Sequence, residues 1–193
     1  MVRSRIQFLK EFVAHPSKVG AVAPSSRYLA RTLIHDFDLA NAKVVVEFGP
    51  GTGAFTKEIV RQIGEDTAFL AIELRETFVK QLEKRFPGLD VHHGSAEDAP
   101  QLLAARNLGP ADYVLSGLPW ASFPHDLQER LLHAAVEALR PGGRFATFAY
   151  TAAAWTPKAR GFRSLLHHTF DQVEVSRTVW RNLPPAFVYH CTK

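Results

Sequence analysis

"KVVVEFGPGTGAFTKEIV", residues 43–60, decides the fold. A run of β-branched residues ends at Glu47-Phe48, three glycines follow at alternate positions, Gly49, Gly51 and Gly53, and an amphipathic pattern then starts at Ala54. That order is a strand, a tight turn and the beginning of a helix. Read as Gly49-x-Gly51-x-x-Ala54, it also fits the dinucleotide fingerprint, in which helix N-terminal amides hold a pyrophosphate.

Glu47 separates the readings. Its carboxylate stands two residues before Gly49 and repels an anion there, whereas it attracts a cation. S-adenosylmethionine brings an ammonium and a sulfonium to such a pocket and no phosphate. Gly-x-Gly-x-Gly behind an acid is also the methyltransferase form of the loop. A glycine turn of purely structural use is the remaining reading.

Downstream of this unit, strand and helix patterns alternate. "KVVVEF" (43–48) precedes "AFTKEIVRQI" (54–63), "AFLAIEL" (68–74) precedes "TFVKQLEKRF" (77–86), and "LDVHHG" (89–94) precedes "APQLLAARN" (99–107). "ADYVLSG" (111–117) precedes "HDLQERLLHAAVEAL" (125–139), and "RPGG" (140–143) turns into "RFATFAY" (144–150). Such alternation predicts a parallel sheet covered by helices on both faces. The tail differs: "DQVEVSRTVW" (171–180) and "AFVYHCTK" (186–193) read as two strands joined through "RNLPP", an antiparallel addition to the sheet.

In a doubly wound sheet the ends of successive strands border one crevice. Glu73 closes the second strand, 20 residues after Gly53, where a carboxylate accepts ribose hydroxyls; a surface charge is the plainer account. After the third strand, "HGSAEDAP" (93–100) passes the adenine, with Ser95 and the backbone of Ala96 at the purine edge and Glu97 and Asp98 beside them. Acids at a helix start are equally natural caps.

The chain of 193 residues is long enough for one domain with a sizeable core, and its 46% hydrophobic and 22% charged content are ordinary for a globular protein. No apolar run approaches the roughly 18 residues of a membrane span, and "MVRSRIQF" lacks the apolar core of a signal peptide. A cytoplasmic location is expected. The single cysteine, Cys191, leaves no internal disulfide and argues against a structural zinc site. No candidate metal ligands stand out.

Charge is segregated. Residues 1–31 hold Arg3, Arg5, Lys10, Lys18, Arg27 and Arg31 against Glu11 alone, and residues 156–193 hold six basic residues against Asp171 and Glu174, so the stretch between is acidic. Basic ends suggest an anionic partner, a membrane surface or a nucleic acid, although solvated faces produce the same pattern. Within "RSRIQFLKEFVA" (3–14), Ile6, Leu9, Phe12 and Val13 fall at helical spacing with the basic residues largely off that stripe. "HPSKVGAVAP" then breaks the pattern, and "SSRYLARTLIHDF" (25–37) opens a second helix on a Ser cap.

At "VLSGLPWASFP" (114–124) the chain carries a more specific motif. An apolar strand ending in small residues and followed by Leu-Pro-aromatic resembles the fourth-strand motif of amine methyltransferases, which in rRNA adenine dimethyltransferases reads Asn-Leu-Pro-Tyr. Together with "GAVAPSSRYLA" (20–30) and "RNLPPAFVY" (181–189), it resembles the bacterial phospholipid N-methyltransferase family across essentially the whole chain.

That resemblance implies a Rossmann-like class I methyltransferase fold: α/β, a mainly parallel seven-stranded sheet with helices on both faces, an antiparallel C-terminal strand and an extra N-terminal amphipathic helix. It implies one domain over 1–193, with residues 1–25 a helix and loop that lie on anionic lipid at the inner face of the cell membrane. It implies methylation of phosphatidylethanolamine and its methylated derivatives towards phosphatidylcholine, with S-adenosylmethionine as cofactor and a phospholipid as substrate. Glu47, Gly49, Gly51 and Gly53 then hold the methionine end, Glu73 the ribose, and Ser95 with Ala96 the adenine. Ser116, Gly117 and Leu118 line the methyl-transfer point, Pro119 fixes the turn, and Trp120 walls the space beside the methyl.

Ser95 stands where related loops carry an acid. Gly117 replaces the Asn that positions an adenine amine, which disfavours a nucleic acid. RNA adenine N6-methylation is nonetheless the first rival, since the aromatic ring could stack on a flipped base. A small-molecule amine methyltransferase and a catalytically silent cofactor-binding protein are the others. His15, Tyr28 and Tyr189 are candidates for the crevice, none assigned as a base. A monomer is the expectation.

Overall fold

The protein is described by a computed structural model over residues 25–193, so the expected helix at residues 3–14 and His15 lie outside the described residues. Seven strands form one sheet: β1 (Val44–Phe48), β2 (Ala68–Glu73), β3 (Asp90–His93), β4 (Ala111–Ser116), β5 (Leu139–Tyr150), β6 (Gln172–Val175) and β7 (Ala186–Thr192), in the order β3-β2-β1-β4-β5-β7-β6. The first five pair in parallel, and β7 runs antiparallel to both β5 and β6. The alternation read from the sequence therefore holds, as does the antiparallel tail.

The inner strands β1, β2 and β4 are packed on both faces, whereas the edge strands β3 and β6 are largely exposed. Val44, Val46 and Phe48 of β1 join one apolar cluster, and Val45 joins the other. Successive side chains of a strand point to opposite faces, so a strand covered on both sides reads as the unbroken apolar run seen at residues 44–46. Helices α4 (Ala99–Ala105), α5 (His125–Ala138) and α6 (Pro157–Thr169) supply Leu103, Leu131, Phe162 and Leu166 to the first face. Helices α1 (Arg27–Leu33) and α2 (Thr56–Val60) supply Leu29, Leu33 and Ile59 to the second. Helix α3 (Glu76–Arg85) packs against β2 and β3.

Local chemistry explains the ends of these helices. Ser26 caps α1, its hydroxyl accepting the Leu29 N–H at 3.2 Å. Helix α6 falls in a stretch, residues 151–170, to which the sequence reading gives no element. Thr156 caps it by accepting from the Ala159 N–H at 3.3 Å, and Pro157 occupies the first turn, where its missing N–H costs nothing. Helix α2 is shorter than its pattern. The expected Arg140-Pro-Gly-Gly turn is an irregularity inside β5: Ala111 pairs with Leu139, but Tyr113 pairs with Arg144. Among the described residues, no helix is long and apolar enough to cross a membrane.

Three hydrogen bonds carry the ladder one residue past the strands. Gly49 N donates to Ile72 O at 2.9 Å, Gly117 N to Phe48 O at 2.8 Å, and Gly94 N to Glu73 O at 3.0 Å. The loops after β1, β2, β3 and β4 thus leave the sheet at one level, along one edge.

Candidate active site

The glycine loop sits where β1 ends, between β2 and β4. Gly49 has φ of +65°, and a Cβ there would lie 2.5 Å from the Leu118 side chain. Gly117 is close-packed in the opposite direction: a Cβ on it would lie 2.6 Å from the Gly49 carbonyl oxygen. The β1 and β4 turns therefore touch backbone to backbone, and Leu118 folds over the loop. A side chain at position 117, such as the Asn of the adenine enzymes, has no room in this arrangement. At Gly51 a Cβ would meet nothing within 4 Å, so this part of the loop faces open space.

Two buried carboxyl groups frame the loop. Glu47 is fully buried, with Oε2 accepting the Thr56 hydroxyl at 2.7 Å and Oε1 buried without a hydrogen-bond partner. Burial, opposed by the Thr56 hydrogen bond and reinforced by the nearby Glu73 charge, pushes its pKa up to about 8. Glu73 accepts the Gly51 N–H through Oε2 and the Arg75 N–H through Oε1, both at 2.9 Å. Burial raises its pKa too, against those backbone donors. Glu73 is thus tied to the glycine loop, and each of its oxygens retains a further acceptor site.

An orphaned buried carboxyl oxygen beside a glycine turn with open space suits a ligand that brings an ammonium donor. S-adenosylmethionine is such a ligand. A pyrophosphate, an acceptor throughout, offers no donor to the orphaned Glu47 oxygen or to the free acceptor sites of Glu73.

Ser95 and Ala96 are buried at the β3 end of the same edge. The Ser95 hydroxyl accepts from Glu97 N at 3.2 Å and caps the short turn over Ala96–Asp98. Glu97 is engaged by Arg130 at 2.9 Å, so its carboxylate belongs to an ion pair.

The turn after β4 corrects one expectation. Trp120 does not wall an open space: it is 2% exposed, stacked on Phe162 with ring centroids 4.7 Å apart and edge-on to Phe145. Its indole N–H donates to the Ser116 hydroxyl at 3.0 Å, an oxygen that also accepts from Leu118 N at 3.3 Å. The Trp120 carbonyl accepts from Gln128 at 2.7 Å. The aromatic residue after Leu-Pro anchors the turn from below, and Ser116 is itself fully buried, so only Gly117, Leu118 and Pro119 reach the surface at the edge. The ring turns inward because α6, unanticipated in the sequence, offers it Phe162. Tyr189 is likewise packed, edge-on to Phe162 and Phe187.

Residues the sequence reading missed include Thr56, whose hydroxyl holds Glu47, and Arg85, which donates to the Thr52 carbonyl at 2.6 Å. The signal available for Thr56 was a hydroxyl on the first helical residue after the loop, nine residues beyond Glu47. Beside Thr52 and Ala54 lies a groove of about 510 Å³ lined by Arg27, Arg31, Lys57, Arg61 and Arg85, with Glu58 its one acid.

Comparison with known proteins agrees with this geometry. Residues 45–143 match the model of a family described as "Methyltransferase domain". The chain is 36% identical over 187 residues to an ornithine lipid N-methyltransferase of Singulisphaera acidiphila, covering 95% of this chain and 93% of that protein. It is 34% identical over 103 residues to ribosomal RNA small subunit methyltransferase A of a Synechococcus strain, covering 52% of this chain and 36% of that protein. Among solved structures, the O-methyltransferase TomG of Streptomyces achromogenes, in complex with SAM, superposes with a TM-score of 0.67 at 19% identity, over 98% of this chain and 88% of that one.

Proposed function

This chain belongs to the class I S-adenosylmethionine-dependent methyltransferases, and we propose that it N-methylates phosphatidylethanolamine and its partly methylated derivatives towards phosphatidylcholine at a membrane surface. The observation that carries a lipid amine as substrate is the near full-length likeness to an ornithine lipid N-methyltransferase. The choice of phosphatidylethanolamine over another aminolipid rests on the family motifs at 114–124 and 181–189.

The cofactor supplies an electrophilic methyl group on a sulfonium. The chain's task is to align that methyl with an amine and exclude water. Glu47 would receive the ammonium of the methionine end and give up its proton in doing so. Glu73, already fixing Gly51, would accept the ribose hydroxyls, and Ser95 and Ala96 would border the purine. Gly117 and Leu118 would hold the amine in line, with the turn held rigid by Trp120 and by the buried Ser116 hydroxyl, which already accepts from Trp120 and Leu118. The substrate enters as an ammonium, so its proton must leave before attack.

RNA methylation is the weaker reading, for a structural reason. Stacking on a flipped base requires an aromatic face free at the turn, and the Trp120 face is taken by Phe162.

The deciding assay is radiolabelled methyl transfer from S-adenosylmethionine to vesicles of phosphatidylethanolamine, to vesicles of ornithine lipid, to RNA and to small amines. Label in phosphatidylethanolamine is expected. Label in ornithine lipid alone would reassign the head group, and label in RNA would overturn the lipid reading. Calorimetry should show binding of S-adenosylhomocysteine and negligible binding of NAD.

Gly117→Ala tests the contact between the two turns. Its Cβ must displace backbone at Gly49, at a cost of about 1–3 kcal/mol. Cofactor affinity and turnover should fall together. If the affinity is unchanged, the two turns move independently.

A further inference from the structure

The loops that overhang the methyl-transfer turn carry most of the exposed apolar bulk. β5 continues from Thr147, level with Ser116, to Tyr150, which is roughly 10 Å beyond the end of β4 at strand rise. There Thr151 donates its N–H at 3.0 Å and its hydroxyl at 3.1 Å to Pro185 O. This ties the β5–α6 loop to the loop that precedes β7. Trp155 on the first loop is 84% exposed, and Trp180 and Leu183 on the second are 77% and 80% exposed. The remaining exposed large apolar residue among those described is Val175, at the far edge of the sheet.

Positive charge lies alongside. Arg27 and Arg181 both sit over the Tyr28 ring, at 4.9 and 5.0 Å, and donate to its hydroxyl at 3.0 and 3.2 Å. No carboxylate among the described residues pairs with either guanidinium, so two like charges converge on one side chain. Ser26 N donates to Asn182 Oδ1 at 2.8 Å, fixing the start of α1 to this loop. Arg27 also lines the basic groove that borders Thr52 and Ala54 of the glycine loop.

We infer that Trp155, Trp180 and Leu183, with Arg27 and Arg181, form a docking rim that seats the mouth of the site on an anionic bilayer. This rests on the lipid reading above. Indole rings favour the head-group region, where an apolar body and a polar N–H are both accommodated. Paired guanidiniums bind phosphate oxygens, and large apolar side chains left exposed on two loops tied to each other mark an interaction site. Aromatic and basic residues also bind RNA, but Leu183 offers no face for a base and enters acyl chains readily. The rim projects from the same edge as Ser116 and Gly117, so docking brings head groups towards the methyl-transfer point.

The test uses the full chain with vesicles of phosphatidylcholine, with and without phosphatidylglycerol. Of the three tryptophans, Trp120 is already buried, so a blue shift of emission on anionic vesicles, with quenching by lipids brominated on their acyl chains, reports Trp155 and Trp180. W155S/W180S/L183S should bind anionic vesicles at least about tenfold more weakly, by loss of apolar insertion. R27Q/R181Q should bind them roughly 30-fold more weakly, about fivefold per charge, a difference that shrinks at high salt.

Turnover of vesicle lipid should fall with binding in the tryptophan and leucine variant, while turnover of detergent-dispersed lipid stays within about twofold of wild type. The inference is overturned if that variant sediments like wild type, if wild-type tryptophan is not quenched, or if RNA rather than vesicles shifts the emission. The quenching arm needs no variant and so does not depend on the fold tolerating the substitutions. Should wild type methylate lipid in neither format, the lipid reading fails, and sedimentation and quenching still decide the rim.

Discussion

Trp120→Ala should lower the stability of the fold by about 3–5 kcal/mol, the usual cost of emptying a buried aromatic site. The ring fills a space bounded by Phe123 just after its own turn, Phe145 on β5 and Phe162 on α6, so closing the gap means shifting α6 against the sheet. The substitution also strips the Ser116 hydroxyl of its indole donor. Denaturant unfolding measures the first effect. Trp120→Phe separates the two: it keeps most of the packing and loses the hydrogen bond, for which about 1 kcal/mol is expected. Turnover should drop in both variants, because the Ser116–Leu118 turn loses its anchor. If Trp120→Ala unfolds at the wild-type denaturant concentration while turnover falls, the ring acts on substrate and the buried assignment is wrong.

Glu47 should make cofactor binding strongly dependent on pH. Its carboxyl is protonated in the free protein below about 8, and a ligand ammonium pairs with the ionised form. Affinity should therefore rise with pH up to about 8, by at most about tenfold per unit, and level off above it. Glu47→Gln should bind about 1.5–3 kcal/mol more weakly at the plateau and lose the slope. The same shift predicts how the free protein's stability varies. A carboxyl whose folded pKa lies above its unfolded value binds more protons when folded, so its contribution is fully present below about 4.5 and is lost as pH rises towards 8. Glu73, also raised by burial, acts in the same direction. Thermal midpoints of the free protein should fall between pH 5 and 8, and fall less in Glu47→Gln. A wild-type affinity that is flat over this range would remove Glu47 from the ammonium contact.

The order of strands and helices was legible because β1 and β2 are buried on both faces, which forces unbroken apolar runs such as Val44–Val46, and because the loops after β1, β3 and β4 open on glycine. The places of Glu47 and Glu73 were legible: an acid near the end of an otherwise apolar strand lies next to the loops that leave the sheet there. Helix α6 was not, since Ala152-Ala153-Ala154-Trp155-Thr156-Pro157 reads as a loop, and its helical content rests on Phe162 and Leu166 finding Trp120 and the sheet. That omission explains the misplaced ring. With no partner foreseen for the indole, an exposed role was the natural reading of Leu-Pro-Trp. The bond between Glu73 and Gly51 was equally hidden, because a carboxylate that fixes a loop and one that awaits a ligand occupy the same place in a sequence.

The place of β7 has a consequence for how the molecule is made. All of its pairing partners precede it in the chain: residues 144–150 of β5 on one side and 172–175 of β6 on the other. While a ribosome adds the residues between Tyr150 and Ala186, the outer edge of β5 has unpaired backbone groups, and β6 has no neighbour to bond. At about 5–20 residues per second that interval lasts roughly 2–7 seconds. During it, the nascent chain presents an open sheet edge beside Phe145 and Phe148, the kind of surface that recruits a second copy or a chaperone. The sheet closes only when β7 slides between two strands already synthesised, so a message truncated ahead of β7 costs the protein both strands and exposes the β5 edge permanently.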